Sequence, residues 1–214
     1  MKYISWVAVF CLSAWPLYAQ EAERVLATAE TTYRSLATIE AQFTQTIENP
    51  MLGEPEITTG TLYLEKPDRF AMKFADPQGD RIVADGSWLW LYTPSTTPNQ
   101  VIRQPVPERG AATPNLFGQF VDRPLERYTA RYVGAGTVNG MEIERVLLNP
   151  RTGDAGFRRA EISVSQDGMM RRIIIVEDSG QVRTLVFDSI AVNIAIAERE
   201  LSFTVPNGTR IVTP

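Results

Sequence analysis

The chain has 214 residues, of which 44% are hydrophobic and 21% are charged, and this is the composition of an ordinary globular protein. Its formal net charge is −4 and it contains no basic run, so nucleic acid and anionic membrane surfaces are poor candidates for partners. It has no histidine and a single cysteine, Cys11. The absence of histidine and the scarcity of cysteine exclude more functions than the residues present suggest.

Residues 1–19 have the layout of a secretory signal peptide, which is predicted to be removed. Lys2 supplies a positive charge, Ile4–Trp15 is a short apolar run, and Ala19 is a small residue at the expected cleavage site. The apolar run is too short to span a bilayer, and the position of Cys11 inside it does not fit a lipidation site. We therefore expect a periplasmic protein of a Gram-negative bacterium, in which residues 20–214 form one domain without disulfides. A buried N-terminal helix is the less favoured alternative.

The missing histidine and cysteine remove most catalytic machinery from the expected mature chain. Ser-His-Asp triads, Cys-His pairs and His/Cys zinc sites each need a residue that is absent. The sequence has no Walker loop and no G-x-G-x-x-G motif after a strand. A hydrolase with paired Asp and Glu side chains stays open as an alternative, but no sequence spacing reveals such a pair. We expect a protein that is not an enzyme and that uses neither a cofactor nor a metal.

The body of the chain is predicted to be one helix followed by many strands. Between Glu21 and Ile39 the apolar residues recur at helical spacing, at Ala22, Leu26, Ala29, Tyr33 and Leu36. From Ala41 the period changes to two, which is typical of strands. Further strands are predicted around Leu62 and Leu64, over Phe70–Phe74 and Trp88–Tyr92, and at Val101–Arg103, Thr129–Val133, Glu142–Leu148, Arg159–Ser165, Arg171–Glu177 and Val182–Ser189. Hairpin turns at 166–168 and 178–180 favour one large antiparallel sheet that is curved or closed.

One segment in the middle of the chain breaks this pattern. Thr113 and Pro114 resemble an N-cap and a first helical residue, and four apolar residues then share one helical face: Leu116, Phe117, Phe120 and Val121. Pro-rich stretches flank the segment at 105–107 and 122–124. The residues alone leave two interpretations, a permanent plug of the sheet and a movable lid, and by themselves they favour the plug.

The order and spacing of several motifs resemble the LolA family of periplasmic lipoprotein carriers over nearly the whole expected mature chain. The matching residues are Phe43-Thr44-Gln45, Gly60-Thr61-Leu62-Tyr63, Lys66-Pro67-Asp68-Arg69-Phe70, Asp76-Pro77, Ile82–Gly86, Leu89–Tyr92, Pro94, Thr113-Pro114, Leu116-Phe117, Phe203, Pro206 and Gly208. The resemblance implies an incomplete antiparallel β-barrel with an α-helical lid over a hydrophobic cavity. It thereby shifts the interpretation of residues 113–121 to a lid.

The resemblance also implies a site and a set of partners. Acyl chains are expected to contact Phe43, Leu62, Leu64, Phe70, Met72, Phe74 and Trp90, beneath a lid that carries Leu116, Phe117, Phe120 and Val121. The family usually has an arginine at the position of Lys66 that latches the lid, and a lysine offers a point charge in place of a planar fork. The implied partners are lipoprotein cargo, an inner-membrane lipoprotein-releasing ABC transporter as donor and an outer-membrane receptor as acceptor, with no nucleic acid. The carrier itself is expected to be a monomer.

Two other classes share this fold and remain alternatives. RseB-like periplasmic modules sense lipids or lipoproteins, but they usually carry a second domain, which the length of this chain disfavours. The outer-membrane receptor LolB is lipidated, which the position of Cys11 disfavours.

Overall fold

A computed structural model describes residues 15–51, 53–106, 115–153 and 155–214. Its first element is α1 (Trp15–Ser35), so the predicted helix ends earlier than Ile39, and the chain enters the first strand at Thr38. The predicted apolar face is confirmed, because Ala22, Leu26, Ala29, Tyr33 and Leu36 are all buried. Residues 1–14 of the predicted signal peptide lie outside the described residues. Within the described part, no helix is both long and apolar enough to cross a membrane.

Twelve strands of the described residues form one open sheet in the order β12-β6-β5-β4-β3-β2-β1-β11-β10-β9-β8-β7. Its strands are β1 (Thr38–Glu48), β2 (Glu56–Glu65), β3 (Arg69–Asp76), β4 (Arg81–Asp85), β5 (Trp88–Tyr92), β6 (Gln100–Pro105), β7 (Tyr128–Val138), β8 (Met141–Pro150), β9 (Phe157–Ser165), β10 (Met170–Glu177), β11 (Val182–Val192) and β12 (Arg210–Val212). All pairs are antiparallel except β12 with β6, and the two edge strands do not pair with each other. The predicted incomplete barrel is therefore confirmed.

The turns that close the hairpins follow from local chemistry. Gly168 and Gly180 adopt φ values of +78° and +88°, which only glycine reaches without strain, and they close the predicted β9–β10 and β10–β11 hairpins. Two strands had not been predicted, namely β4 and β12. The first is only five residues long, and the second has only three and pairs in parallel with a distant segment.

Strand alternation gives the sheet two different faces. The concave face carries the main core, in which side chains from α1 meet those of nearly every strand, among them Phe43, Leu62, Ile162, Leu185 and Phe187. The convex face of β3–β6 carries a second, smaller cluster of Ala71, Val83, Trp90, Val101 and Leu201. The C-terminal segment that contains Leu201 and Phe203 covers this cluster.

Ion pairs fasten the C-terminal segment to the convex face. The Arg69 guanidinium contacts the Glu198 carboxylate at 2.5 Å, and Lys73 Nζ contacts Glu200 at 2.8 Å. Lys73 also donates to the carbonyl of Arg199 at 3.1 Å. Since these charges pair across 129 and 127 residues of sequence, they fix where this segment lies without adding to the concave core.

Between β6 and β7 the described residues 115–127 form two short helices. They are α2 (Leu116–Val121) and α3 (Pro124–Arg127), and Arg123 turns the chain between them with a left-handed φ of +50°. Thr113 and Pro114 lie outside the described residues, as does Pro107. The N-cap that the structure assigns to α2 is Asn115, whose side-chain oxygen accepts the Gly118 amide at 2.9 Å.

Truncation of a concave core residue is expected to destabilise the fold far more than truncation of a surface residue of the same type. Ile162 on β9 is fully buried, whereas Ile57 on β2 is 62% exposed. We expect Ile162→Ala to lower the free energy of unfolding by about 2–5 kcal/mol and Ile57→Ala to change it by less than about 0.5 kcal/mol. Urea denaturation of both variants measures the difference. Equal losses at the two positions would contradict the assignment of the core to this face.

Candidate functional site

An open cleft of about 380 Å³ enters the concave face at one end of the sheet. It lies where β1 and β3 end and where β4, β9 and β11 begin. Most of its lining is apolar, and the rest is polar. The lining residues are Gln45, Ile47, Phe70, Met72, Phe74, Ile82, Leu116, Gln119, Gly156, Phe157, Ile175, Glu177 and Arg183. A volume of this size is at the lower end of the range for small-molecule pockets.

Helix α2 fills the interior next to this cleft. Phe117 packs its ring 4.7 Å from that of Phe187 on β11, and Phe120 lies 5.8 Å from Phe157 and 6.1 Å from Tyr128. With Val121, the two phenylalanines of α2 are essentially inaccessible to solvent. Leu116 and Gln119 are the α2 residues that line the open cleft, while the two phenylalanines lie inside, so the hollow predicted beneath the lid is here largely occupied by the lid itself.

The N-terminal end of α2 rests against α1. Asn115 Nδ2 donates to the Tyr33 hydroxyl at 2.9 Å. Gly118 makes this approach possible, because a Cβ at its position would lie 2.8 Å from that hydroxyl and 2.9 Å from Asn115 Nδ2. A side chain at position 118 would therefore separate α2 from α1.

The C-terminal end of α2 is held by the residues that follow it. Arg127 Nη2 donates to the carbonyl of Gly118 at 2.8 Å and also to that of Asp122, and a cation at this end of a helix stabilises its free carbonyl groups. The Tyr128 hydroxyl donates to the carbonyl of Gln119 at 3.1 Å. Burial of this hydroxyl raises the pKa of Tyr128, so the phenol keeps the proton that it donates.

The predicted latch, Lys66, binds α1. Its ammonium group donates to the carbonyl of Tyr33 and lies 4.0 Å from the centre of the Tyr33 ring. Burial lowers the pKa of Lys66, while the negative charge of Asp122, the C-cap of α2, opposes this shift. The resemblance implied a hydrogen bond from this residue to the lid, but the bond described for Lys66 goes to α1. Lys66 is linked to α2 indirectly, through Tyr33, which Asn115 contacts, and through the negative charge of Asp122.

The structure brings most of the predicted acyl-contact residues to the concave face. Phe70, Met72 and Phe74 line the cleft. Phe43, Leu62 and Leu64 belong to the buried cluster behind it, where Phe43 packs edge-to-face with Phe74 at 5.5 Å. The lid residues Leu116, Phe117, Phe120 and Val121 contact the same cluster.

Trp90 is the exception, and its prediction as a cavity residue is wrong. It lies on the convex face in the second cluster, 5.3 Å from the Phe203 ring. Its indole donates to Asp85 at 2.8 Å. Burial alone would raise the pKa of Asp85, but this bond and those from the amides of Trp88 and Ser87 lower it. Leu89 and Leu91 are the β5 residues that contact the concave core.

The polar side chains at the site that had not been predicted include the charged residues Arg127, Glu177 and Arg183. Arg183 Nη2 donates to Glu177 Oε1 at 2.9 Å at the edge of the cleft. The alternation of β11 placed Arg183 on the same face as Leu185 and Phe187, and this signal was available in the sequence. No pattern indicated Arg127, because its contacts depend on how α2 folds back onto it.

These features define a binding protein of the half-barrel type whose ligand is apolar. A family model described as "Outer membrane lipoprotein carrier protein LolA" matches residues 34–204. The match covers most of the chain, and the chain belongs to this family.

Several relatives carry the name outer-membrane lipoprotein carrier protein. One from Hahella chejuensis is 27% identical over 213 residues, which are 99% of this chain and 98% of the relative. Another from Halorhodospira halophila is 28% identical over 179 residues, 84% of this chain and 81% of the relative.

Solved structures share the fold at lower identity. A conserved protein from Thermus thermophilus superposes with a TM-score of 0.58 and 14% identity over 91% of this chain and all of that chain. MucB, in its complex with MucA from Pseudomonas aeruginosa, gives a TM-score of 0.53 and 16% identity over 91% of this chain and 64% of that one.

Substitution of Gly118 is expected to open the lid. A valine at this position clashes with the Tyr33 hydroxyl and with the Asn115 cap, so the closed arrangement loses stability while the sheet is unaffected. Because a competent state that becomes more populated binds more tightly in proportion, we expect Gly118→Val to raise the affinity for a fluorescent acyl-chain probe several-fold. Gly140→Val is the control, since a Cβ at that turn meets no atom within 4 Å, although its positive φ costs some stability. Unchanged probe affinity in Gly118→Val would contradict the role of this contact.

Lys66 is expected to hold the lid shut indirectly, through α1. Replacement by leucine removes the bond to Tyr33 and with it the anchor of the residue against which Asn115 rests. We expect Lys66→Leu to retain an acyl probe longer, measured as a several-fold slower release in stopped-flow displacement. Lys73→Leu is the matched control on the convex face. If both variants load and release the probe like the unmodified protein, Lys66 has no latch role.

Proposed function

We propose that this protein carries lipoproteins across the periplasm by covering their acyl chains, after their release from the inner membrane and until their transfer to the outer membrane. The observation that carries this proposal is the concave apolar face, which α2 covers with Phe117 and Phe120 and which opens beside it in the cleft. Membership of the lipoprotein carrier family supports the same function.

The energetics of the cargo require such a cover. Each methylene group that leaves water contributes about 0.8 kcal/mol, so a long acyl chain left exposed costs on the order of 10 kcal/mol. The residues proposed to contact the chains are those of the cleft and the cluster behind it: Phe43, Leu62, Leu64, Phe70, Met72 and Phe74. The cleft alone holds part of such a chain, and the rest takes the volume that α2 vacates when it moves.

The lid also explains how the cargo is released without an energy source in the periplasm. Phe117 and Phe120 occupy apolar surface that the cargo needs. Loading therefore replaces the burial of these two side chains with the burial of the acyl chains. The net affinity is the difference between the two and stays moderate. A receptor that binds the acyl chains more tightly then removes them.

The proposed setting follows from this chemistry. An inner-membrane lipoprotein-releasing ABC transporter is the proposed donor, and an outer-membrane receptor is the proposed acceptor. The carrier is proposed to act as a monomer after removal of residues 1–19. The described lining of the cleft is mostly hydrocarbon, which supports transport of an apolar cargo.

The proposal predicts that lipoproteins travel with the protein. Mass spectrometry of the full chain, purified from the periplasm of a Gram-negative host, is expected to detect acylated lipoproteins. Phe74→Glu places a charge in the cleft, and we expect at least a tenfold reduction in the co-purified amount. A protein that carries no acylated lipoprotein, or whose cargo is unaffected by this change, is not a carrier that uses this cleft.

The control for this experiment is Phe203→Glu. Phe203 is also a half-buried phenylalanine, but it packs on the convex face against Trp90 and Tyr92. A new carboxylate there lies beside the Arg81 guanidinium, which is 5.7 Å from the ring centre. Cargo is expected to remain bound to this variant.

A further inference from the structure

The concave face becomes more polar in regular steps from its interior to the mouth of the cleft. Phe43 pairs with Phe187 in the innermost of three successive cross-strand rows. In the next row Gln45 lies between Thr58 and Leu185. In the outermost row Arg183 lies between Ile47 and Ile175. Successive rows on one face are about 7 Å apart, so a ligand that lies lengthwise in the cleft has hydrocarbon around its inner end and polar groups around its outer end.

Arg183 is an unusual residue for this position. Its cross-strand neighbours on both sides are isoleucines, and its side chain is about one-third exposed at the mouth. Nη2 donates to Glu177, but Nε is buried and has no hydrogen-bond partner in the described structure. A donor that is buried without an acceptor destabilises the empty protein, and a ligand whose acceptor reaches this donor recovers the cost.

The charge around Arg183 selects the kind of acceptor. Glu177 also accepts from Gln181 Nε2 at 3.3 Å and neutralises the guanidinium, so the pair has no net charge. An anionic group would be repelled by the Glu177 carboxylate, whereas a neutral carbonyl oxygen accepts from the free N–H without this penalty. Gln45, which is 7% exposed and donates to Thr58 at 3.1 Å, continues the polar strip one row deeper.

We propose that Arg183 is the head-group seat of the cleft and donates hydrogen bonds to the ester carbonyls that join two acyl chains to a glyceryl head. This inference rests on the proposed function and makes it specific. The chains lie inward on the apolar rows, and their ester linkages stop at the row of Arg183. The site then selects diacylglyceryl ligands over plain hydrocarbon of equal length, and it fixes how deeply the chains enter.

The test compares the binding of two ligands with and without the Arg183 side chain. The ligands are a fluorescent dipalmitoylglyceryl-cysteinyl peptide and its dialkyl ether analogue, which has the same chains but lacks both ester carbonyls. The variants carry Glu177→Gln throughout, so that no unpaired carboxylate remains, with or without Arg183→Met. We expect Arg183→Met to weaken the diester about tenfold, which corresponds to one hydrogen bond to a charged donor, and to leave the ether unchanged.

A second variant and a control protect the result against effects of folding. Arg183→Lys keeps a cation but lacks Nε, and it is expected to weaken the diester several-fold with no effect on the ether. Arg158→Met removes an exposed arginine that donates to the carbonyl of Asp178 outside the cleft, and it is expected to change neither affinity. Melting temperatures of all variants are measured alongside.

The outcomes separate this inference from the function on which it rests. Equal loss of both ligands in Arg183→Met, or no loss of either, overturns the ester seat and leaves the carrier function intact. Failure of the unmodified protein to bind either ligand overturns the carrier function itself. Dipalmitoylglycerol carries the same two esters on a neutral head, so it is expected to respond like the lipopeptide. A loss confined to one of these two lipids overturns recognition of the carbonyl groups.

Discussion

Everything in this structure depends on the need to cover one apolar face. An open sheet cannot close on itself, so the concave side chains of its central strands require a partner from elsewhere in the chain. α1 covers part of that face permanently, with an apolar stripe that is buried along its length. α2 covers the rest with two phenylalanines and a valine. The face is the same whether protein or lipid covers it, and this equivalence makes a carrier physically possible.

The contacts of α2 are arranged so that its removal is limited in cost. Its centre is held by apolar packing, which an acyl chain can replace with similar burial. Its two ends are held by polar contacts to neighbouring elements: Asn115 to Tyr33 at one end and Arg127 to the Gly118 carbonyl at the other. Arg127 belongs to α3, which leads directly into β7, so the contact at the C-terminal end of α2 is made by a residue close to it in sequence. The N-terminal end rests on α1, far away in sequence, and it is the end where a small separation breaks the contact.

The sequence predicted those parts of the fold that depend on local periodicity. All five residues of the predicted apolar face are buried, although Leu36 lies just beyond the end of α1 and the buried Val25 was not predicted. The long strands were found because one of their faces alternates cleanly, as in Phe70, Met72 and Phe74. Trp88–Tyr92 is apolar on both faces, so alternation could not decide which side faces inward, and Trp90 was assigned to the wrong one. The three residues of β12 form a strand only because the chain returns beside β6. Such tertiary decisions leave no mark on a local pattern.

The same distinction applies within the candidate site. A hydrophobic lining can be predicted from strand parity, since any residue two positions from a core residue on a strand points the same way. The bond that Lys66 makes depends on where α1 ends relative to the β2–β3 turn, and only the assembled structure supplies that distance. Arg183 is the instructive case between the two. The alternation of β11 already placed Arg183 on the same face as Leu185 and Phe187. Only the structure showed that it lies between two isoleucines, with Nη2 bonded to Glu177 and with no acceptor for Nε among the described residues. A polar group among apolar ones at the mouth of a cleft therefore says more about the ligand than the apolar lining does. A hydrocarbon surface binds any acyl chain, whereas a donor without a partner favours head groups that present an acceptor.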